Sequence, residues 1–526
     1  MHKPYRHWPA LSCVAAATAL MLAGCGDDYE ADPVEIRATS NRADMVSGGD
    51  VTLEIALPAG GSTQGLAVDV GGRDVTSAFR LQANGTYKGV VTGLADGPNV
   101  VTASTLNTRP AALTVTNAPR HGPVFSGAQI KPFYCATPVQ QVVNANVPAS
   151  NASGLAGAPD ANCNIATETK LYYRTTTAGC SLGLPDPTAG MGATATTVPA
   201  NPAAPTNACF RPYSAGSTPG DLATTTTDTG LTVPYIVRVE RGTPNRGIYD
   251  IAVLHDPSKT WNALAPQAGW NGKVIFNFGA STGQPRRQSR PASAWSGSDL
   301  QLRRGVMVVA HSMTDSARNS NRVMMSETVM MVKEHITDTY GAIKFTIGSG
   351  CSGGSINSNM AASIMPGLLD GVTTTCTYPD SETTSMEVGD CVVLVDAYQK
   401  AGWTALMAGQ TQVQINARKA AINGHPDQSA CHAWYNAFGS NGRAGLYFPR
   451  VVSNNVTGAI FQQPAATNNC ELPNSAVYDP ANATATAALP RCRAAMPGAG
   501  ASRSGARWQA LLPPRTPATM PACSTA

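Results

Sequence analysis

From Val34 to about Asn117 apolar and polar positions alternate with a period of two. Val51, Leu53 and Ile55 are separated by Thr52 and Glu54, and residues 66–70, 87–91, 99–104 and 112–115 repeat the pattern. Successive side chains of a strand point to opposite faces, so the alternation predicts strands with one buried face. Turn signals divide them at Gly48-Gly49, Gly71-Gly72, Asn84-Gly85 and Asp96-Gly97. Short strands at this spacing predict a small β-sandwich over residues 33–118, immunoglobulin-like in size. It holds no cysteine and no grouping of catalytic residue types, so a spacer or docking role is expected, with carbohydrate binding as the alternative.

The period is lost over residues 119–232. Pro, Ala, Thr and Asn dominate there, punctuated by Cys135, Cys163, Cys180 and Cys209, and an irregular insert ordered by disulfides is expected. From Val233 the pattern returns. Residues 235–240 and 247–254 read as paired strands, 273–278, 305–310 and 343–347 as three more, and 368–376 as a sixth. Before the fifth strand, Met325, Val329, Val332 and Ile336 fall on one face of a 3.6-residue period. Residues 355–365 predict a second helix. Strands alternating with helices imply an α/β domain with a mainly parallel sheet covered on both faces, spanning residues 233–480.

The junction after the fifth strand reads Gly350-Cys351-Ser352-Gly353-Gly354. G-x-S-x-G between a strand and a helix is the pattern of a nucleophile elbow. A serine that points out of so sharp a turn needs neighbours without bulk. The N–H of Gly353 would face a reacting carbonyl oxygen, and the helix N-terminus behind it favours developing negative charge. Among 50 glycines the five letters alone are a weak signal, and a Gly/Ser loop without chemistry is the alternative; the flanking strand and helix give the pattern its weight.

Composition changes the picture in two ways. Charged residues make up 13% of the 526, with a net charge of +4, which argues against a nucleic-acid partner. His2, Lys3, Arg6 and His7 precede an apolar run over residues 10–22 that ends in Leu22-Ala23-Gly24-Cys25. This is a signal peptide over residues 1–25 rather than a transmembrane helix. Its terminal cysteine resembles a bacterial lipoprotein signal, which implies lipidation of Cys25. Gly26 in place of aspartate implies an outer-membrane address, and an ordinary cleaved signal is the alternative. Apart from Cys13 and Cys25, eleven cysteines remain, and in an exported chain they are expected to pair, leaving one over. No C-x-x-C or H-E-x-x-H occurs, so neither a metal site nor a cofactor is expected.

The antiparallel start, the Gly279-containing loop after the third strand and the serine after the fifth resemble the α/β-hydrolase fold. Gly350-Cys351-Ser352-Gly353-Gly354 is similar to the G-C-S-x-G of the tannase and feruloyl esterase group. It also resembles an uncharacterised family of exported bacterial hydrolase-like proteins with an N-terminal β-domain. In the tannase group the cysteine before the serine bonds a cysteine beside the catalytic histidine; Cys351 matches the first half of that pattern, and here only the reversed Cys431-His432 follows. The resemblance implies that Gly279 or Ala280 supplies the second oxyanion donor, unless that loop is an ordinary turn.

A serine needs a base and a carboxylate to orient it, in the chain order Ser, acid, His. His425 and His432 follow Ser352. His432 is the first choice, because Cys431 could tie it to Cys351. Asp380 is the candidate acid, with Asp390 and Asp396 as alternatives; Glu382, Glu387 and Asp390 equally read as a solvated face. His311 could line the pocket. Arg286, Arg287, Arg290, Arg303 and Arg304 read as exposed loop charges or as a clamp for a substrate carboxylate. Beyond Asp479 there is no Asp, Glu or Lys, so residues 481–526 read as a low-complexity tail, either an appendage or a truncated or frame-shifted end. The reaction expected is hydrolysis of a small-molecule or polymeric carboxylic ester, aromatic, hydroxylated or polyester-type, by Ser352 through an acyl-enzyme. A catalytically inactive surface-binding lipoprotein and a serine peptidase are the rivals.

Overall fold

The computed structural model describes residues 32–138, 152–185, 205–281, 283, 286–377, 381–424, 431, 432, 434, 435, 450–453 and 460–463. The signal segment with Cys25, Asp380, His425 and the 481–526 tail lie outside the described residues.

Residues 35–118 form two sheets. One orders Glu35–Ala38, Val51–Ala56, Tyr87–Val91 and Phe79–Leu81; the other orders Val46–Ser47, Ala111–Ala118, Gly97–Ser104, Ala67–Val70 and Arg73–Asp74. Their inner faces share one core, in which Val51, Leu53, Ile55, Val101 and Val115 are fully buried. The alternating residues of 51–55 therefore do what their pattern demands.

A further sheet has eight strands: β1 (Glu168–Arg174), β2 (Phe210–Pro212), β3 (Ile236–Gly242), β4 (Tyr249–Leu254), β5 (Lys273–Phe278), β6 (Met307–His311), β7 (Phe345–Cys351) and β8 (Gly371–Thr375). Their order is β2-β1-β3-β4-β6-β5-β7-β8. The sheet is mixed rather than mainly parallel. β5–β6, β5–β7 and β7–β8 pair in parallel, whereas the four pairings from β2 to β6 are antiparallel. The antiparallel half has two sources. β3 and β4 form a hairpin, and β1 and β2 come from the 119–232 stretch expected to be irregular. The parallel half carries the elbow.

Helix α1 (Arg322–Thr339) joins β6 to β7, capped by Asn321, whose Oδ1 accepts from the N–H groups of Val323 and Met324 at 3.0 Å each. Met325, Val329, Val332 and Ile336 are at most 1% exposed and pack against Phe276, Phe278, Met307 and Val309. Each such side chain stabilises the fold by roughly 1.5–3 kcal/mol. Elsewhere on α1, polar groups grip other parts of the chain. Glu334 accepts from the Ser47 N–H (2.9 Å), the Ser47 hydroxyl (2.7 Å) and Asn41 (3.2 Å), and Asp338 accepts from Thr52 (2.5 Å). One oxygen of Glu327 takes the successive N–H groups of Val124, Phe125 and Ser126 at 2.9, 2.6 and 2.6 Å.

Helix α2 (Gly353–Ile364) follows β7, and helices α3 (Ser381–Ala397) and α4 (Gln412–Asn423) follow β8. Among the described residues four disulfides join Cys135 to Cys163, Cys180 to Cys209, Cys351 to Cys376 and Cys391 to Cys431. Such bonds persist in oxidising compartments and suggest an exported protein. Among the described residues no helix is long and apolar enough to cross a membrane.

Candidate active site

Ser352 stands alone between the end of β7 and the start of α2, with φ 57° and ψ −124°. A non-glycine residue held there costs on the order of 1–3 kcal/mol and persists only where its surroundings impose it. The surroundings do so. The Ser352 N–H donates to the Thr375 carbonyl of β8 (3.2 Å), and the Ser352 carbonyl accepts from the N–H groups of Ser355 (2.9 Å) and Ile356 (3.2 Å). Serine at a helix N-cap usually spends its hydroxyl on the first turn, but the Ser352 side chain makes no capping bond. Ser355 supplies a local bond instead, its hydroxyl donating to the Ser352 carbonyl at 2.7 Å.

Bulk is excluded on every side. A Cβ on Gly350 would collide with the Gly354 carbonyl, one on Gly353 with the Ser281 carbonyl, and one on Gly354 with the Phe278 carbonyl. The last two contacts bring in the loop after β5. That loop, Gly279 to Ser281, is held by the N–H groups of Ser316 and Ala317, which donate to the carbonyls of Gly279 (2.9 Å) and Ala280 (3.2 Å). Gly353 and the Gly279 loop are thus brought together beside Ser352, as an oxyanion site requires.

The family model that matches this sequence runs over residues 36–502. The chain belongs to the tannase-like family of unknown function (DUF6351). No curated protein matches this tannase-like chain. Two solved structures show weak likeness. One is a Bacteroides ovatus mixed-linkage glucan utilization locus protein in complex with a mixed-linkage heptasaccharide, at 16% identity over 26% of this chain and 35% of that one, TM-score 0.12. The other is the ferric enterobactin esterase of Salmonella typhimurium, at 11% identity over 78% of this chain and 89% of that one, TM-score 0.18. This chain spans about a third of the length of the first structure and most of the second.

Around the elbow of this tannase-like protein lie residues that sequence reasoning missed. Asp315 is fully buried under Gly279, where any side chain would strike its carboxyl, and its Oδ2 accepts from the Ala292 N–H at 2.6 Å. Burial outweighs that bond and pushes its pKa up to about 7. Ser316 touches Gly353. Asn357 of α2 donates to the Thr314 carbonyl (2.9 Å) and accepts from Arg322, tying the nucleophile helix to the 312–322 loop. Asp315 lies four residues beyond the end of β6, past a 3-10 turn, and neither it nor Ser316 nor Asn357 carries a signal in the chain.

His311 is fully buried, with Nδ1 accepting from the Met313 N–H (2.9 Å) and Nε2 lying 3.3 Å from the Pro244 carbonyl. Burial pulls its pKa down to about 3, so it is a neutral strut and not a base. Cys351 bonds Cys376, and Cys431 bonds Cys391. The tie expected to bring His432 to the serine therefore runs elsewhere: Cys376 directly follows β8, which pairs with β7, and lies far nearer to Cys351 in this topology. His432 is half-buried. Asp390 is exposed, and Asp396 pairs with Lys400 at 3.1 Å, so both belong to a solvated helix face.

Arg303 and Arg304 line an open cavity of about 750 Å³ with Arg174, Tyr235 and Asp299; Ser352 is not among its walls. Arg286, Arg287 and Arg290, by contrast, are half-buried or buried. Among the described residues no group of three or more His, Cys, Asp or Glu is placed to hold a metal ion.

Proposed function

We propose that the protein is an exported serine hydrolase of carboxylic esters, built on an α/β-hydrolase fold. The observation that carries this reading is the backbone of Ser352, at φ 57° and ψ −124° between a parallel strand and a helix. The antiparallel hairpin β3–β4, the glycine loop after β5 and the nucleophile after β7 support the fold assignment. Membership of a tannase-like family supports the ester.

In this mechanism Ser352 Oγ attacks the ester carbonyl and gives its proton to an imidazole, His432 or His425, oriented by Asp380. The N–H of Gly353 and an amide of the Gly279 loop hold the oxyanion, the alcohol leaves, and water releases the acyl group. The carboxyl of Asp315 positions the Gly279 loop from beneath. Four disulfides support export, and lipidation of Cys25 would hold the protein at the outer membrane, with the immunoglobulin-sized β-domain docked on α1. Aromatic, hydroxylated and polyester-type esters all fit this reaction.

The test is turnover of 4-nitrophenyl acetate and butyrate by the oxidised protein. Turnover should fall at least 10³-fold in Ser352→Ala. Release that persists in that variant would show that the serine is not the nucleophile, and no release by the parent would leave a binding protein on a hydrolase fold. Cleavage of peptide 4-nitroanilides in preference to esters would point to a peptidase.

A further inference from the structure

Two arginines stand beside the elbow, and among the described residues neither pairs with an anion. Arg318 follows Ala317, whose N–H holds the Gly279 loop, and lies two residues from Ser316, which touches Gly353. At most roughly 7 Å of backbone separates Arg318 from that contact. Arg287 lies eight residues beyond Gly279 in the chain. Its backbone is pinned where Gln288 N–H donates to the Tyr134 carbonyl (2.8 Å) and Tyr134 N–H donates to the Arg286 carbonyl (3.0 Å). The two stretches meet at Gly283, where a side chain would press on the Ala317 carbonyl.

Both guanidinium groups are half-buried, and the Nε of each is buried without a hydrogen-bond partner. Among the described residues no carboxylate forms an ion pair with either one. They also oppose each other. Burial lowers the pKa of Arg287, and the charge of Arg318 lowers it further. Asp315, which feels Arg318, is buried beneath Gly279 with one oxygen already engaged. Two like charges partly withdrawn from water are costly unless an anion answers them. A guanidinium fork matches the two oxygens of a carboxylate.

We propose that Arg287 and Arg318 form a receptor for a carboxylate on the substrate, so that the protein acts on esters carrying a free acid, such as half-esters of dicarboxylic acids and acid-ended ester oligomers. This rests on the hydrolase reading for its chemistry but not for its binding step, and the two can be tested apart.

Two esters of nearly equal shape give the kinetic arm: mono(4-nitrophenyl) adipate, and 4-nitrophenyl 6-methylheptanoate as its neutral counterpart. The parent protein should favour the adipate at least tenfold in kcat/KM, and the preference should shrink as salt rises from 0.05 to 0.5 M. Arg287→Gln and Arg318→Gln should each raise KM for the adipate at least tenfold, with the neutral ester unchanged within twofold; Arg318→Lys should recover part of the loss. The binding arm uses monomethyl adipate and the Ser352→Ala protein by calorimetry. Binding should be present, and at least tenfold weaker in the added arginine variants.

Equal kcat/KM for the two esters in the parent, or no binding of monomethyl adipate to Ser352→Ala, would overturn the receptor whether or not the arginine variants fold. Arginine-dependent binding without turnover of either ester would instead overturn the hydrolase reading and leave the receptor standing.

Discussion

Ser352 is held in a conformation that only glycine adopts at low cost. Replacing it by alanine removes the hydroxyl and keeps the strain; replacing it by glycine removes both. Ser352→Gly is therefore expected to abolish ester turnover while raising the melting temperature above that of Ser352→Ala. The gain should be on the order of 1 kcal/mol once the entropy cost of glycine is set against the relieved strain. Calorimetric melts of the two variants check this, and equal stabilities would mean that the turn imposes no strain. At this scale the site was half legible. Gly350, Ser352, Gly353 and Gly354 could be read from the chain because the turn's sterics leave few residue types that fit, and each of those glycines meets backbone where a side chain would go. Asp315, Ser316 and Arg318 could not. Each owes its place to the packing of one loop on another, and nothing in their spacing encodes that.

Among the elements, α1 does most of the joining. Its apolar residues lie in the sheet's core, while Glu334 and Asp338 meet Ser47 and Thr52 of the β-domain around a cavity of about 110 Å³ walled by Asp50, Arg120, His335 and Asp338. Burial pushes the carboxyl of Glu334 up to about 8 and that of Asp338 to about 6, and raises Asp50 as well. A carboxyl whose folded pKa is raised lends stability that is full below its unfolded pKa and is lost as pH climbs through the folded one. The interface should therefore weaken from about pH 4.5 to about 8. Glu240 works in the opposite sense. Burial disfavours its charge, yet His335, Tyr249 and Tyr340 hold its pKa at about 2, so its contribution fades only as pH falls below about 4.5. Glu334→Gln keeps an acceptor for Ser47 and removes the titration. It is expected to raise the melting temperature by a few degrees at pH 8.5 and to change it little at pH 5. Melts across that range decide the matter, and a uniform shift would contradict the assignment.

The elements themselves were largely visible in the chain. Residues 273–278 form β5 without adjustment, and the face marked by Met325, Val329, Val332 and Ile336 is the buried face of α1. Period-two and apolar runs fix that a strand exists and not which way its neighbour points, so they do not separate the mixed sheet found from the mainly parallel one expected. β1 was missed for a related reason. Leu171, Tyr172 and Tyr173 lie between proline-, alanine- and threonine-rich loops, and pairing with β2 and β3 shows their role.

At the scale of the whole molecule, the disulfides can be read out directly. Alkylation under denaturing, non-reducing conditions should leave Cys135, Cys163, Cys180, Cys209, Cys351, Cys376, Cys391 and Cys431 unlabelled. Peptide mass spectrometry should recover four cross-linked pairs with the partners found here. A Cys351–Cys431 peptide would revive the arrangement of the tannase group. Closing the 25-residue span from Cys351 to Cys376 is worth about 3.5 kcal/mol by chain entropy, and it fastens β7 to the end of β8 next to the nucleophile. The export reading thus bears on chemistry as well as address, since the elbow is cross-linked only where thiols oxidise.

Glu327 limits how this gene can be dissected. Cutting at residue 233, where the strand pattern resumes, would keep the nucleophile, both faces of its helix and every parallel strand of the eight-stranded sheet. It would also take away Val124, Phe125 and Ser126, leaving a sealed-in anion with Asn245 as its remaining donor. Stranding a buried charge in that way costs about 3–5 kcal/mol, a large share of what a domain has in hand. The smallest portable piece of this protein therefore begins upstream of Val124, and anyone transplanting the elbow should carry the seemingly shapeless leader along with it.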